Sequence, residues 1–245
     1  MTKQQAYDCS IVQCEKISSD VYLVILQAPD GRVFDYKAGQ YLFINMAEND
    51  ARPYSIASAV ADGRTLEMHI KDIPNNDFTA QVLQRLKTED HISIQLPSGS
   101  CTIEQSSGNS PLLFISGGTG FAHSHSIITS LLNSDDSRPI YLYWGANELD
   151  EIYLYDSPIK WMSEYKNFHF VPVINNLDPD WSGEKGMVHE AVFRNIQNLH
   201  DYDIYLSGSS AMVFNIYRQL KEKKVASTQI FSDMLDILRD KEELD

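Results

Sequence analysis

Between residues 21 and 96 the chain runs in short apolar stretches, each closed by a turn signal. Val21-Tyr-Leu-Val-Ile-Leu26 is apolar and β-branched. Gln40-Tyr-Leu-Phe-Ile-Asn-Met46 follows the turn Lys37-Ala38-Gly39, and Arg52–Ser58 comes next. Thr65–Lys71 alternates after Asp62-Gly63, and His91–Leu96 alternates again and stops at Pro97. These are strand signals. From Asp77 to Leu86 the period changes. Phe78, Val82, Leu83 and Leu86 recur at helical spacing, with Asp77 as the N-cap. Closely spaced strands with one helix predict a small antiparallel barrel.

After the polar stretch Ser106–Ser110, read as a linker, the rhythm is different. Pro111–Ser116 is continuously apolar up to its last residue, as in a strand covered on both faces. A glycine cluster follows, then a helix with Ile127, Ile128, Leu131 and Leu132 on one face. Strand Ile140–Trp144, a helical stretch over Tyr153–Tyr165 and strand Phe168–Ile174 repeat the pattern. Helix Met187–Ile196, strand Asp203–Ser207, helix Ala211–Lys221 and a strand near Gln229–Phe231 complete it. Strand–helix alternation predicts a parallel α/β sheet. The expected division is residues 1–106 and residues 107–245.

Composition narrows the function. Twenty Lys and Arg face 34 Asp and Glu, for a formal net charge of −14. Such a surface repels phosphates and argues against nucleic acid as a partner. The N-terminus is polar, without a signal-peptide core, and no apolar run reaches the ~18 residues of a membrane span. Three cysteines, Cys9, Cys14 and Cys101, form no CxxC pair, which excludes a four-thiolate iron–sulfur centre within the chain. A cytoplasmic protein is expected. His123 and His125 are two apart on a helix and do not share a face, so no metal site is expected, and surface or capping roles are assigned to them. Asp178, Asp180 and Glu184 read as a solvated turn. The run 241–245 reads as a solvated charged tail.

Two places carry candidate chemistry. Gly117-Gly118-Thr119-Gly120 lies between a buried strand and a helix, where glycines admit a ligand to the main chain and the helix start favours phosphate. The spacing is not the GxGxxG fingerprint. Ser207-Gly208-Ser209-Ser210-Ala211-Met212 also follows a strand and opens a helix, so two turns line one crevice at strand ends. Tyr143-Trp144-Gly145 ends the intervening strand as an aromatic wall. In the barrel, Arg52-Pro53-Tyr54-Ser55 offers a cation at the rim, a ring for stacking and a hydroxyl donor.

Together, Arg52-x-Tyr54-Ser55 and strand–Gly117-Gly-Thr-Gly120–helix resemble the ferredoxin–NADP reductase family over nearly the whole chain. Lys37–Tyr41, Gly208–Met212 and Trp181–Val188 add to the likeness. Within that family the chain is most similar to bacterial NAD(P)H:flavin oxidoreductases, including luciferase-associated reductases. The place where other members seat a pyrophosphate on glycine plus Ser/Thr reads Ile70–Asp77, with carboxylates and no glycine. His123 stands where proline is frequent and Ser207 where cysteine is frequent, and no terminal aromatic is present to stack on a flavin. The resemblance implies a six-stranded antiparallel flavin-binding barrel followed by a parallel-sheet nicotinamide-nucleotide domain. It implies hydride transfer from NADH or NADPH to a loosely bound riboflavin, FMN or FAD. Reduced flavin then passes to a flavin-using monooxygenase or luciferase. Arg52, Pro53, Tyr54 and Ser55 would hold the flavin, with Ser55 catalytic at N5. Gly117, Gly118, Thr119, Gly120, Tyr143, Trp144, Gly145, Gly208 and Met212 would line the nucleotide site. Two other readings stand beside this one: a stably flavin-bound electron-transfer reductase, and a non-catalytic dinucleotide-binding module. The acidic stretch after Tyr143 leans toward NADH, while Arg218 and Lys221, one helix away, leave NADPH open.

Overall fold

The computed structural model describes residues 4–176 and 181–240. The first half is one antiparallel sheet of six strands. These are β1 (Gln5–Lys16), β2 (Val21–Gln27), β3 (Tyr41–Ala47), β4 (Asp50–Ser55), β5 (Thr65–Lys71) and β6 (His91–Ser98), in spatial order β4-β3-β6-β1-β2-β5. The sheet curls until its edges meet. Just past β4, Ala57 N–H donates to Glu67 C=O of β5 at 2.7 Å, and Ser58 Oγ accepts from Glu67 N–H. Helix α1 (Asp77–Thr88) closes one end and buries Val82, Leu83 and Leu86 in the barrel core.

The second half is a parallel six-stranded sheet, β10-β9-β8-β7-β11-β12. Its strands are β7 (Leu112–Gly117), β8 (Ile140–Ala146), β9 (Phe168–Ile174), β10 (Glu184–Lys185), β11 (Asp203–Ser207) and β12 (Ile230–Phe231). Its helices are α2 (Phe121–Leu132), α3 (Asp156–Glu164), α4 (Val188–Asn195), α5 (Ser210–Glu222) and α6 (Asp233–Asp240). The pleat explains the unbroken apolar run of β7. Leu112 and Phe114 enter one core with Phe121 and Trp144, while Leu113 and Ile115 enter the other with Val192 and Ile216.

Local details differ from the sequence reading or add to it. The N-cap of α1 is Asn76, whose side chain accepts from the N–H groups of Phe78 and Thr79; Asp77 is the first helical residue. The longest barrel strand, β1, carries Asp8, Ser10, Gln13 and Glu15 outward and buries only Tyr7 and Cys9, so it lacks a strong apolar signature. The stretch 106–110 is no free linker. The buried Asp203 carboxylate accepts from both the backbone N–H and hydroxyl of Ser107 at 2.8 Å, and Ser106 Oγ accepts from Arg138. Asp178 and Asp180 lie outside the described residues. Glu184 is bound by Arg194 and Asn195, each at 2.9 Å.

The halves dock through α2. Ser126 Oγ donates to Ser58 C=O at 2.7 Å and His125 Nδ1–H to Ala57 C=O at 2.8 Å. Across the same seam, His69 Nε2–H donates to Glu67 at 2.6 Å, and His69 Nδ1 is hydrogen-bonded to the Tyr153 hydroxyl at 3.0 Å. His123 and His125 are therefore internal groups and not the surface residues expected. Burial holds both below the ordinary histidine pKa, and for His125 the nearby His69 adds to the effect. An unfolded histidine titrates near ~6.5. With the folded pKa lowered, this contribution to stability is complete above ~6.5 and is lost as pH falls through the folded values. The urea midpoint is expected to be lower at about pH 5.5 than at about pH 7.5, with a smaller difference in His125→Gln. Equal midpoints at the two pH values in the native chain would contradict this.

Candidate functional site

An open cleft of about 200 Å³ lies between the barrel and the parallel sheet. The barrel supplies Pro53, Tyr54 and Ser55 from the end of β4, and Tyr41 from β3, directly opposite Ser55 in register. The second half supplies Gly120 and His123 from the start of α2, and Leu206, Ser207 and Gly208 from the end of β11. The fourth wall is the C-terminal segment: Ser232, then Asp233, Met234 and Ile237 of α6.

The two glycine turns meet because β7 and β11 are paired neighbours, with Ser116 opposite Ser207. A Cβ on Gly120 would stand 2.5 Å from Gly208 N and 2.6 Å from Ser207 C. Glycine is required there by backbone approach. Gly208, at φ +148°, and Gly118, at φ +51°, adopt conformations that L side chains avoid. Beneath the turns the hydroxyls of Ser116, Ser124 and Ser207 bond to one another at 2.8, 3.1 and 3.3 Å, so none of the three is orphaned in the interior. Met212 fills the gap between the turns, its Sδ where a Cβ of Gly117 would come within 2.3 Å.

Several expected site residues lie elsewhere. Arg52 does not face the cleft. It is only 6% exposed, and its guanidinium is taken by a bidentate pair with Asp50 at 2.7–2.9 Å, the Phe78 carbonyl, and Gln81 at 2.7 Å. Arg52 shares a face of β4 with Tyr54, but its contacts with Asp50, Gln81 and the Phe78 carbonyl hold the guanidinium at the α1 end, where it also covers the Phe78 ring. Trp144 is fully buried rather than a cleft wall. It stacks on Phe121 at 3.8 Å and donates its indole N–H to Gly118 C=O at 3.0 Å, so it supports the glycine turn from below. Tyr143 points into the opposite core, and Gly145 leaves room for Val188, which a Cβ would meet at 2.8 Å. Gly117, Gly118 and Thr119 shape the turn, while Gly120 alone of that motif reaches the cleft wall.

The structure adds residues the sequence reading passed over. Asp233 Oδ1 accepts from Ser100 N–H at 2.9 Å and Cys101 N–H at 3.1 Å, which pins α6 to the end of the barrel. Burial raises the Asp233 carboxyl above its ordinary range, against the opposing pull of His123. Tyr54 Oη and His123 Nδ1 are buried polar atoms in this wall without hydrogen-bond partners among the described residues. The signal for α6 was short. Leu235 and Leu238 share a face, but a run of charged residues of both signs follows at once. Among the described residues, no group of three or more His, Cys, Asp or Glu is arranged to hold a metal. No described helix is long and apolar enough to cross a membrane.

Comparison with known proteins agrees with this two-part plan. Residues 8–103 match the oxidoreductase FAD-binding domain and residues 114–217 the oxidoreductase NAD-binding domain. An NAD(P)H-flavin reductase of Vibrio harveyi is 35% identical over 232 residues, 92% of this chain and 96% of that protein. A CDP-6-deoxy-L-threo-D-glycero-4-hexulose-3-dehydrase reductase of Yersinia pestis is 31% identical, covering 94% of this chain and 69% of its own length. A solved Amycolatopsis cytochrome P450 reductase superposes with a TM-score of 0.85 at 23% identity, over 95% of this chain and 70% of that one, and so shares the fold. Two sheets joined at a cleft of paired glycine turns, with matching FAD- and NAD-binding domains, make this chain an oxidoreductase of the ferredoxin–NADP reductase family.

Proposed function

We propose that the chain is an NAD(P)H:flavin oxidoreductase that reduces a loosely held flavin and releases it. The observation that carries this reading is the shared cleft: Tyr54 and Ser55 of the barrel face Gly120, Ser207 and Gly208 of the nucleotide sheet across one space. The residues present fit two stacked flat rings. The glycine turns and the His123 nitrogen lie on the nucleotide-sheet side, and the Tyr54 hydroxyl on the barrel side; both of these polar atoms lack partners among the described residues. Hydride passage between a reduced nicotinamide and a flavin is chemistry the two ligands carry themselves. The chain's part is alignment and exclusion of water. Tyr54 and Pro53 support one ring, Ser55 donates its hydroxyl to the flavin edge where charge arrives, and Gly120 and Gly208 admit the nicotinamide.

A weak hold on flavin follows from the α1 end of the barrel. Both anion-binding devices there are closed by the chain itself. Asn76 occupies the first free N–H groups of α1, and Asp50, Phe78 and Gln81 occupy Arg52. Neither is left for a pyrophosphate. NADH is the preferred donor, because Asn147–Glu151 after β8 holds Glu148, Asp150 and Glu151 and no Lys or Arg for a 2′-phosphate. The released product serves an oxygenase-type acceptor, such as a flavin-using monooxygenase or luciferase.

Steady-state oxidation of NADH and NADPH against riboflavin, FMN and FAD tests the whole reading. Dialysed protein is expected to be colourless and to oxidise NADH at a rate that saturates with added free flavin. A flavin that survives extensive dialysis would favour a stably flavinylated electron-transfer reductase. A rate that ignores added flavin would favour a non-catalytic module.

A further inference from the structure

We propose that His123 Nδ1 is a positioning acceptor that takes a hydrogen bond from an amide-type N–H of the ring pair in the cleft. That N–H is either the nicotinamide carboxamide or the ring imide of the flavin. The inference rests on the flavin reductase reading above. His123 stands in the first turn of α2, 6% exposed, in the cleft wall beside Asp233 and Met234. Its Nε2 lies 3.1 Å from Cys101 O. A carbonyl oxygen only accepts, so Nε2 carries the hydrogen and Nδ1 is left with a lone pair. That bond also fixes the ring, which cannot turn Nδ1 elsewhere without losing it. Nδ1 has no partner among the described residues and is shut from water.

A buried acceptor left unsatisfied is costly, and native structures retain one where a ligand completes it. No group of the surrounding wall completes it: neither the Tyr54 hydroxyl nor the Asp233 carboxyl makes a hydrogen bond to Nδ1, and Asp233 Oδ1 accepts from the Ser100 and Cys101 amides. The missing group must therefore be a donor brought by the ligand. Nicotinamide and isoalloxazine each carry an amide-type N–H at the ring periphery. Met234, unbranched and flexible, is the wall residue able to yield as a ring enters. Burial keeps His123 neutral near pH 7, which preserves the lone pair.

The test pairs ligand and protein changes. Reduced 3-acetylpyridine adenine dinucleotide, which lacks the carboxamide N–H, is compared with NADH, and N3-methylriboflavin with riboflavin. In the wild type, one of the two is expected to raise KM about tenfold over its parent with little change in kcat. In His123→Phe that penalty should vanish, and in His123→Gln, which keeps an acceptor and a donor, it should persist in part. His123→Met serves as the nitrogen-free variant if the phenylalanine protein fails to fold. The inference is overturned if the wild type shows neither penalty, or if the penalty is unchanged in the nitrogen-free variant. A wild type that oxidises NADH with no flavin at all would instead overturn the functional reading, and this inference with it.

Discussion

Ser55→Ala is expected to slow single-turnover oxidation of NADH by about 10²-fold while flavin affinity changes by less than about threefold. Ser55 ends β4 in the cleft, opposite Tyr41, on a strand pinned between β3 and the barrel edge. A hydroxyl held there supplies a donor where negative charge arrives, and a donor of that kind contributes more in the transition state than in the ground state. Stopped-flow absorbance at saturating flavin separates the two quantities. An equal loss in rate and affinity would make Ser55 a simple binding residue, and an unchanged rate would remove it from catalysis altogether.

Gly120→Ala is expected to cost about 2–3 kcal/mol of stability and to raise the KM for NADH more than about tenfold. The added Cβ meets backbone on the facing turn, at 2.5 Å from Gly208 N and 2.6 Å from Ser207 C. Neither atom can rotate away as a side chain would, so the turns must separate and the cleft wall opens. Gly118→Ala is the control. Its Cβ would enter open space, and only the φ of +51° is unfavourable, at about 1–2 kcal/mol. Thermal unfolding and NADH kinetics on both variants decide the matter. Equal effects at the two positions would show that turn conformation, and not the contact between turns, is what matters.

Arg52 and His123 mark where a residue's type misleads about its place. Arg52 is the residue a sequence reader assigns to a ligand phosphate, yet Asp50 lies two positions away on the same strand face and reaches it first. His123 reads as a surface or capping residue, because it stands two positions from His125 on a helix and the two do not share a face. It is buried because the segment around Cys101 and the distant α6 pack against it. Trp144 fell between the two outcomes. It reads as an aromatic wall of the crevice, and the structure places it beneath the glycine turn as a support.

Apart from β1 and α6, the order of strands and helices, the change from barrel to parallel sheet and the two glycine turns are local properties. They follow from the period of apolar residues and from the few residues that tolerate each turn, so the chain alone determined them. The same holds for the net charge of −14 and its conflict with anionic ligands. Which side chains face the cleft was decided by tertiary structure. Strand partners far apart in sequence set which face of β4 is covered, and β7–β11 pairing sets which glycine touches which turn. A helix near the C-terminus, α6, supplies the last wall, with Asp233 held by backbone more than 130 residues away. Such contacts depend on loop closures that leave no periodic trace along the chain, and for that reason they become visible only once it is folded.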